Sequence, residues 1–144
     1  YAHIAHNCKI EDGVVIANVG SLAGYVTVEK KVMIGGLVGI HQYVKIGAYS
    51  IIGGCSKVTK DVPPYMRVDG HPSTVRGLNS VGLYRAHFSP ETRSILKKAY
   101  KILFKSGLNT TQALKRIDEE LELIPEIKHL YEFIKNSQRG ICKS

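Results

Sequence analysis

The stretch that decides the fold is LAGYVTVEKKVMIGGLVGIHQYVKIGAYSII, residues 22–52. Within it an aliphatic side chain occurs at every sixth position, and the spacing continues on both sides. The full series has ten members: Ile4, Ile10, Ile16, Leu22, Val28, Ile34, Ile40, Ile46, Ile52 and Val58. A second series of mostly small or β-branched residues lies two positions before each of these. A period of six matches neither the spacing of an α-helix nor the alternation of a simple strand.

This period predicts a prism whose sides are short strands with two inward positions each. Three sides make a coil of 18 residues, so residues 18 apart stack at the strand spacing of about 4.8 Å. The residue after each aliphatic is often Gly or Ala, which we attribute to tight corners. We expect the prism to cover residues 1–60. Because Tyr1 already lies within a repeat, we also expect earlier coils to precede it.

The pattern changes after Lys60. Two adjacent prolines, Pro63 and Pro64, disfavour both strand pairing and helix continuation, so we expect a loop-rich connector over 61–78. An α-helical domain is expected over 79–144. Its predicted helices are one that begins after the N-cap Ser89 and ends at Gly107, a second over 111–123, and a third over 125–137.

The charge of the chain is +8 and is unevenly distributed. The segment 67–105 holds eight basic residues and two acidic ones. Such a segment is either a solvated helix face or the binding surface for an acidic partner, which could be nucleic acid, a phosphate-bearing ligand or an acidic carrier protein. Nucleic acid is disfavoured because the segment lacks regularly spaced aromatic residues for base stacking.

Cysteine content and hydropathy indicate the cellular compartment. The three cysteines show no C-x-x-C spacing, which predicts free thiols in a reducing cytoplasm. No apolar run approaches the ~20 residues that a membrane span requires, so no membrane span is expected. We therefore predict a cytoplasmic protein.

The candidate catalytic residues share one face of the predicted prism. His6, Gly24 and Gln42 lie 18 residues apart and form one column. His3 begins a parallel column on the same wall, and His41 precedes Gln42. A general base, an N–H donor for an oxyanion and an orienting amide would need such an arrangement. Zinc binding and purely structural histidines stay open, although no carboxylate or third histidine in register completes a zinc site, so no metal or cofactor is expected.

A set of motifs gives a more specific indication. They are His3-Ile4-Ala5-His6-Asn7-Cys8, Leu22-Ala23-Gly24, Ile34-Gly35-Gly36, His41-Gln42-Tyr43, Gly53-Gly54-Cys55, Asp61-Val62-Pro63-Pro64-Tyr65 and Gly82-Leu83-Tyr84-Arg85. With them the chain resembles the UDP-N-acetylglucosamine O-acyltransferases, a hexapeptide-repeat family that starts lipid A biosynthesis. The resemblance covers essentially the whole chain. It implies a left-handed parallel β-helix followed by a small helical domain, in a homotrimer with active sites between neighbouring β-helices.

The resemblance also implies a reaction. A 3-hydroxyacyl chain passes from acyl carrier protein to the 3-hydroxyl of UDP-N-acetylglucosamine, with no further cofactor. By position, His6 matches the general base and Gly24 the backbone N–H that holds the oxyanion. The other matches are the substrate-pocket residues His3, His41 and Gln42, the tail residues Asn79 and Arg85 that contact the donor or the nucleotide phosphates, and Gly54, where acyl length is set. The basic segment 67–105 becomes a docking surface for the carrier.

Two residues depart from the family's pattern, and three rival interpretations stay open. Tyr25 stands where the family has histidine, and Asn7 replaces an acid often found beside the general base. The nearest rival is the related N-acyltransferase of the same pathway, whose tail is one long helix. The others are a metal-dependent, carbonic anhydrase-like β-helix and a non-catalytic scaffold.

Overall fold

The N-terminal part of the chain is a parallel β-solenoid, as the six-residue period predicted. The computed structural model describes residues 1–144. Its short strands are distributed over three walls. The first wall holds β1 (His3–Ile4), β4 (Ser21–Leu22), β7 (Gly39–Ile40) and β10 (Lys57–Val58). The second wall holds β2 (Lys9–Ile10), β5 (Thr27–Val28) and β8 (Lys45–Ile46), and the third holds β3 (Val15–Ile16), β6 (Met33–Ile34) and β9 (Ile51–Ile52). Each of the strands β1 to β7 pairs in parallel with the strand 18 residues later, as His3 does with Ser21.

The repeat directs its aliphatic residues into the solenoid. Val28, Ile34 and Ile46 are fully buried, and the second series is buried with them: Val26, Val32, Val38 and Val44. Ile4 and Ile10 hold the same inward positions in the first coil, where they are 47% and 38% exposed. Stacked columns of aliphatic side chains therefore form the interior.

The corners of the solenoid depart from the sequence expectation. The left-handed backbone conformation falls on the third residue after the inward aliphatic, as at Asn7, Tyr25 and Tyr43, whose φ values are 59°, 61° and 64°. The Gly or Ala directly after the aliphatic is small for a different reason. A Cβ on Gly35 would lie only 2.7 Å from the backbone nitrogen of Gly54, one coil away. Close stacking between coils, rather than backbone conformation, explains that glycine.

The segment 61–78 contains a β-hairpin, where the prolines had suggested a loop-rich connector. Strand β11 (Met66–Gly70) pairs in parallel with β9 and antiparallel with β12 (Ser73–Leu78), so the hairpin extends the third wall. The prolines end the six-residue period, but the strand begins directly after them. Its signal is an alternation of period two, in which Met66 and Val68 are buried and Arg67 between them is exposed.

Four α-helices complete the chain: α1 (Ser80–Arg85), α2 (Pro90–Lys105), α3 (Thr110–Glu120) and α4 (Pro125–Lys135). Ser89 caps α2 as predicted, because its hydroxyl accepts a hydrogen bond from the Thr92 N–H at 3.1 Å. Asn109 and Gln112 form a reciprocal capping box at the start of α3. None of these helices has the length and apolar character needed to cross a lipid bilayer.

The helical domain packs against the solenoid through one shared hydrophobic core. A buried carboxylate strengthens the contact: Asp61 accepts hydrogen bonds from the Lys45 N–H at 2.9 Å and from the Ser137 hydroxyl at 2.6 Å.

All three cysteines are unpaired, as predicted. Burial raises the pKa of the Cys142 thiol to about 11, so this thiol stays protonated at neutral pH.

Candidate functional site

His6 and Gly24 are in direct contact. The turn after β1 carries His6, and the equivalent turn after β4 places Gly24 one coil away. A Cβ built on Gly24 would lie 2.6 Å from His6 Cε1 and 2.7 Å from His6 Nε2. A side chain at position 24 would therefore displace the imidazole from the orientation that it holds here. The Gly24 N–H makes no backbone hydrogen bond, whereas the next N–H, that of Tyr25, bonds to the His6 carbonyl at 3.1 Å.

Asn7 orients the His6 ring. Nδ1 of His6 lies 3.1 Å from the side-chain oxygen of Asn7. An amide oxygen can only accept a hydrogen bond, so this contact favours the tautomer with the proton on Nδ1. The lone pair then lies on Nε2, the nitrogen beside Gly24. The residue that departs from the family's acid therefore keeps the orienting contact but supplies no charge.

A short aromatic column borders the imidazole. The ring of Tyr25 meets His6 edge-on, with 5.3 Å between the ring centroids. Tyr43 stacks on Tyr25 with 5.0 Å between centroids and an interplanar angle of 10°. Tyr25 stood out in the sequence as a departure from the family's pattern, whereas its contact with Tyr43 was not predicted. The signal was present, because these two residues are 18 apart and so belong to one column.

His3 and His41 line one groove on the outside of the first wall. The groove has a volume of about 380 Å³, and its floor is formed by the small residues Ser21, Ala23 and Gly39. Gln42 does not line this groove. It lies in the turn after β7, one coil beyond Gly24 in the column that begins with His6.

Asn79 and Arg85 lie in a different cavity, on the third wall. This cavity has a volume of about 510 Å³ and lies between β9 and α1. The side chain of Asn79 is already engaged there, since its amide donates to the Tyr49 carbonyl at 2.8 Å and its oxygen accepts from the Gly82 N–H at 3.2 Å. Asn79 thus caps α1. Within one chain the structure does not bring these two residues together with His6.

Gly54 occupies a third location, the corner between the third and first walls. Its nearest neighbour is Gly36 in the preceding coil, and a Cβ on Gly54 would lie 3.3 Å from the Gly36 carbonyl oxygen. A side chain can be accommodated here if the backbone moves by a few tenths of an ångström, and it would project outward because Gly54 is exposed. The position can therefore vary without loss of the fold.

The basic residues of α2 form a stripe, with members at every fourth position: Arg93, Lys97, Lys101 and Lys105. Arg93 is partly engaged within the chain. Its Nε donates to the Phe88 carbonyl at 3.2 Å, and its guanidinium lies 5.3 Å from the Tyr84 ring centroid. The three lysines are exposed and make no salt bridge.

Comparison with known proteins identifies the family. The family model described as UDP N-acetylglucosamine O-acyltransferase, domain 2, matches residues 61–142. The chain belongs to this family. The O-acyltransferase of Gloeothece citriformis is 44% identical over 137 residues, which cover 95% of this chain and 49% of that protein. The chain thus spans about half the length of the curated relatives it matches.

Solved structures of the family match the fold. The UDP-N-acetylglucosamine acyltransferase of Francisella novicida superposes with a TM-score of 0.96 at 34% identity and covers all of this chain and 53% of its own. The Acinetobacter baumannii structure gives a TM-score of 0.93 at 42% identity, over 98% of this chain and 55% of its own. The family model covers most of the helical tail, the part of the chain that separates this family from the N-acyltransferase rival.

Proposed function

We propose that the protein transfers a 3-hydroxyacyl chain from acyl carrier protein to the 3-hydroxyl of UDP-N-acetylglucosamine, the first step of lipid A biosynthesis, in the cytoplasm. The observation that carries the proposal is the contact between the His6 imidazole and the Gly24 backbone. A base and an N–H donor that are in van der Waals contact can act together in acyl transfer: the base accepts the proton of the attacking hydroxyl, and the N–H donates to the developing oxyanion. The family names of the relatives supply the two substrates.

His6 would act as the general base. Its Nε2 accepts the proton of the sugar 3-hydroxyl while that oxygen attacks the thioester carbonyl carbon. The carbonyl electron pair moves to oxygen, and the Gly24 N–H donates to the resulting oxyanion. Collapse of the tetrahedral species breaks the carbon–sulfur bond, and the protonated imidazole gives its proton to the departing thiolate. The products are the O-acylated sugar nucleotide and the free carrier thiol, with neutral His6 restored.

The remaining site residues would bind the substrates. His3 and His41 present exposed imidazoles along the first-wall groove, and Gln42 continues the catalytic column, so these three suit the sugar and the acyl donor. Arg85 offers a positive charge to a phosphate of the nucleotide or the donor. Asn79 fixes the start of α1 and thereby the position of Arg85.

A homotrimer would complete the site. The first-wall groove and the third-wall cavity are separated within one chain, and packing one wall of a protomer against another wall of its neighbour would unite them. Apolar side chains are exposed on the corresponding surfaces: Val15, Val19, Met33 and Leu37, the last with 61% exposure. Patches of this kind mark interaction sites. Sedimentation equilibrium should give three times the chain mass; a monomer would exclude the shared site.

Gly54 is proposed to set the acyl length. With no side chain at this corner, a longer chain can lie along the solenoid, and Gly54→Met would block it. We expect this variant to prefer shorter donors by about 10-fold or more, because a methionine occupies the volume of several methylenes. The measurement compares kcat/KM for a series of donor lengths, and an unchanged preference would refute this role.

The lysine stripe on α2 is proposed as the docking surface for the acidic carrier. Because Arg93 is partly engaged within the chain, Lys97→Glu with Lys101→Glu is a cleaner test than a change at Arg93. The double variant should raise KM for the carrier several-fold, and the effect should shrink as salt screens the charges. The control is Lys128→Glu with Lys135→Glu on α4, which changes the net charge by the same amount. An equal effect of the control would show that net charge, rather than this surface, is responsible.

The central experiment measures acyl transfer from a 3-hydroxyacyl carrier protein to UDP-N-acetylglucosamine. The chain is joined to the N-terminal half of the Gloeothece citriformis relative, since it aligns with about half of that protein. Transfer is expected, and His6→Ala should lower kcat by at least ~10²-fold. Circular dichroism and sedimentation confirm that the variant is folded. No transfer by a folded protein, or full activity without His6, would refute the proposal.

A further inference from the structure

A cavity of about 570 Å³ lies where α4 meets the corner between the second and third walls. Its volume falls in the range of small-molecule binding sites. Three carboxylates and three aromatic rings supply most of its chemistry: Glu11, Glu29, Glu126, Tyr49, Tyr65 and Phe88. None of the residues assigned above to acyl transfer lines it.

Tyr65 supplies a phenol hydroxyl at this cavity. Its side chain is 4% exposed, and its hydroxyl has no hydrogen-bond partner within the chain. Burial and the negative charges of Glu126 and Glu29 raise the pKa of Tyr65 well above its ordinary range, so the phenol stays neutral. The Ser50 hydroxyl is the only side-chain polar atom of the chain that is both fully buried and unpaired, so the Tyr65 hydroxyl is accessible and can pair with water or with a ligand in the cavity that Tyr65 lines.

The cavity is negatively charged in a chain that is otherwise basic. Glu11 and Glu29 stack one coil apart, and each directs one oxygen to a backbone N–H, of Lys30 at 2.9 Å and of Ala48 at 2.8 Å. Glu126, in the first turn of α4, is half-buried and has no partner in the chain. Two basic side chains face these carboxylates. Lys30 lines the cavity, and His129 lies 2.8 Å from Glu29.

The aromatic residues form a continuous wall beside the carboxylates. Tyr49 and Phe88 meet edge-to-face with 4.9 Å between centroids, and Tyr65 packs against both. The ammonium group of Lys30 lies 6.0 Å from the Tyr49 centroid, at the limit of a cation–π contact. The chain thus already directs one ammonium group towards this wall.

We propose that this cavity binds a small primary aliphatic amine in its ammonium form, either a monoamine or a diamine. The ammonium N–H groups donate to Glu126 and to the Tyr65 oxygen, while the methylene groups lie on Tyr49 and Phe88. An anion is disfavoured by the carboxylates. A metal ion is disfavoured because the aromatic rings that form one side of the cavity offer no oxygen ligands to complete its coordination. This site is independent of the acyltransfer proposed above.

Isothermal titration calorimetry with 1,4-diaminobutane tests the proposal, at about pH 8 and constant ionic strength. Saturable binding with a Kd on the order of 1 mM is expected. Tyr65→Phe and Glu126→Gln remove one acceptor each while they keep the shape of the cavity, and each should weaken binding by about 3- to 10-fold. The matched controls are Tyr131→Phe and Glu122→Gln, which lie outside the cavity and should leave Kd unchanged.

Three results would overturn the site. One is the absence of saturable heat with the folded chain. A second is an equal Kd for the cavity variants and their controls, which would indicate nonspecific attraction of a dication. The third is equally tight binding of tetramethylammonium, which has no N–H to donate and would show that Tyr65 and Glu126 accept nothing. Since no acyl transfer is measured, each result leaves the proposed enzymatic function untouched.

Discussion

Ser50 and Ser56 test how a buried hydroxyl affects the stability of the solenoid. Both occupy inward positions and are 0% and 2% exposed. The Ser50 hydroxyl has no hydrogen-bond partner. The Ser56 hydroxyl donates to the Gly53 carbonyl at 2.6 Å, lies 3.1 Å from a carboxylate oxygen of Asp69, and accepts from the Gly70 N–H at 3.1 Å. The two serines thus differ in pairing rather than in burial.

The same substitution should have opposite effects at the two positions. A buried polar group without a partner costs about 1–3 kcal/mol. Ser50→Ala removes such a group, so we expect the free energy of unfolding to rise by about 1 kcal/mol, after a small loss of packing. Ser56→Ala leaves the Gly70 N–H without its acceptor, and we expect the free energy of unfolding to fall by about 1–3 kcal/mol.

Urea unfolding followed by circular dichroism measures both effects. The free energies of unfolding of the two variants should differ by about 2–4 kcal/mol. Urea extrapolation can resolve this difference, since it determines each free energy to within about 10–15%. Equal m-values would show that neither variant changes the surface exposed on unfolding. If Ser50→Ala destabilises the protein as much as Ser56→Ala, then pairing does not decide the effect and the reasoning is wrong.

Three further predictions concern the site and the domain contact. Gly24→Ala should lower kcat by about 10²-fold in the transfer assay, because its methyl group would lie 2.6 Å from His6 Cε1 and displace the imidazole. Asn7→Asp should move the acidic limb of the pH–rate profile to higher pH by about one unit, since a carboxylate stabilises the protonated ring; an unmoved limb would contradict the contact. The hydrogen bond to Glu29 raises the pKa of His129, so its contribution is complete below the ordinary histidine pKa and is lost as pH rises through the raised value. Because the pair is partly exposed, the loss should be at most about 1 kcal/mol in urea unfolding, and His129→Gln should remove this part of the pH dependence.

The solenoid and half of its site could be predicted from the sequence because both depend on one short period. A repeat of six fixes which residues point inward, and a coil of 18 fixes which residues stack. The contact of His6 with Gly24 follows from that spacing alone, as does the unrecognised stacking of Tyr43 on Tyr25. The start of α2 was equally local, because Ser89 caps the Thr92 N–H three residues later and Pro90 occupies the first helical position.

Other features were decided by contacts between residues far apart in the chain. The hairpin of β11 and β12 was missed because its local alternation is only a few residues long and follows two prolines, and the strand gains its stability from pairing with β9. The separation of Asn79 from His6 depends on the wall against which α1 packs. The carboxylate–aromatic cavity depends on a contact between Glu29 and His129, one hundred residues apart.

The sequence by itself determined the coil, its interior and the column that holds His6, since a periodic backbone repeats its geometry at every turn and leaves each side chain one place to lie. The tertiary structure alone decided where the helical domain sits, which side chains it engages and what cavities it closes. Helices carry their own hydrogen bonds and can pack against any apolar surface of matching shape, so their position follows from the final packing of the core and not from any period in the chain.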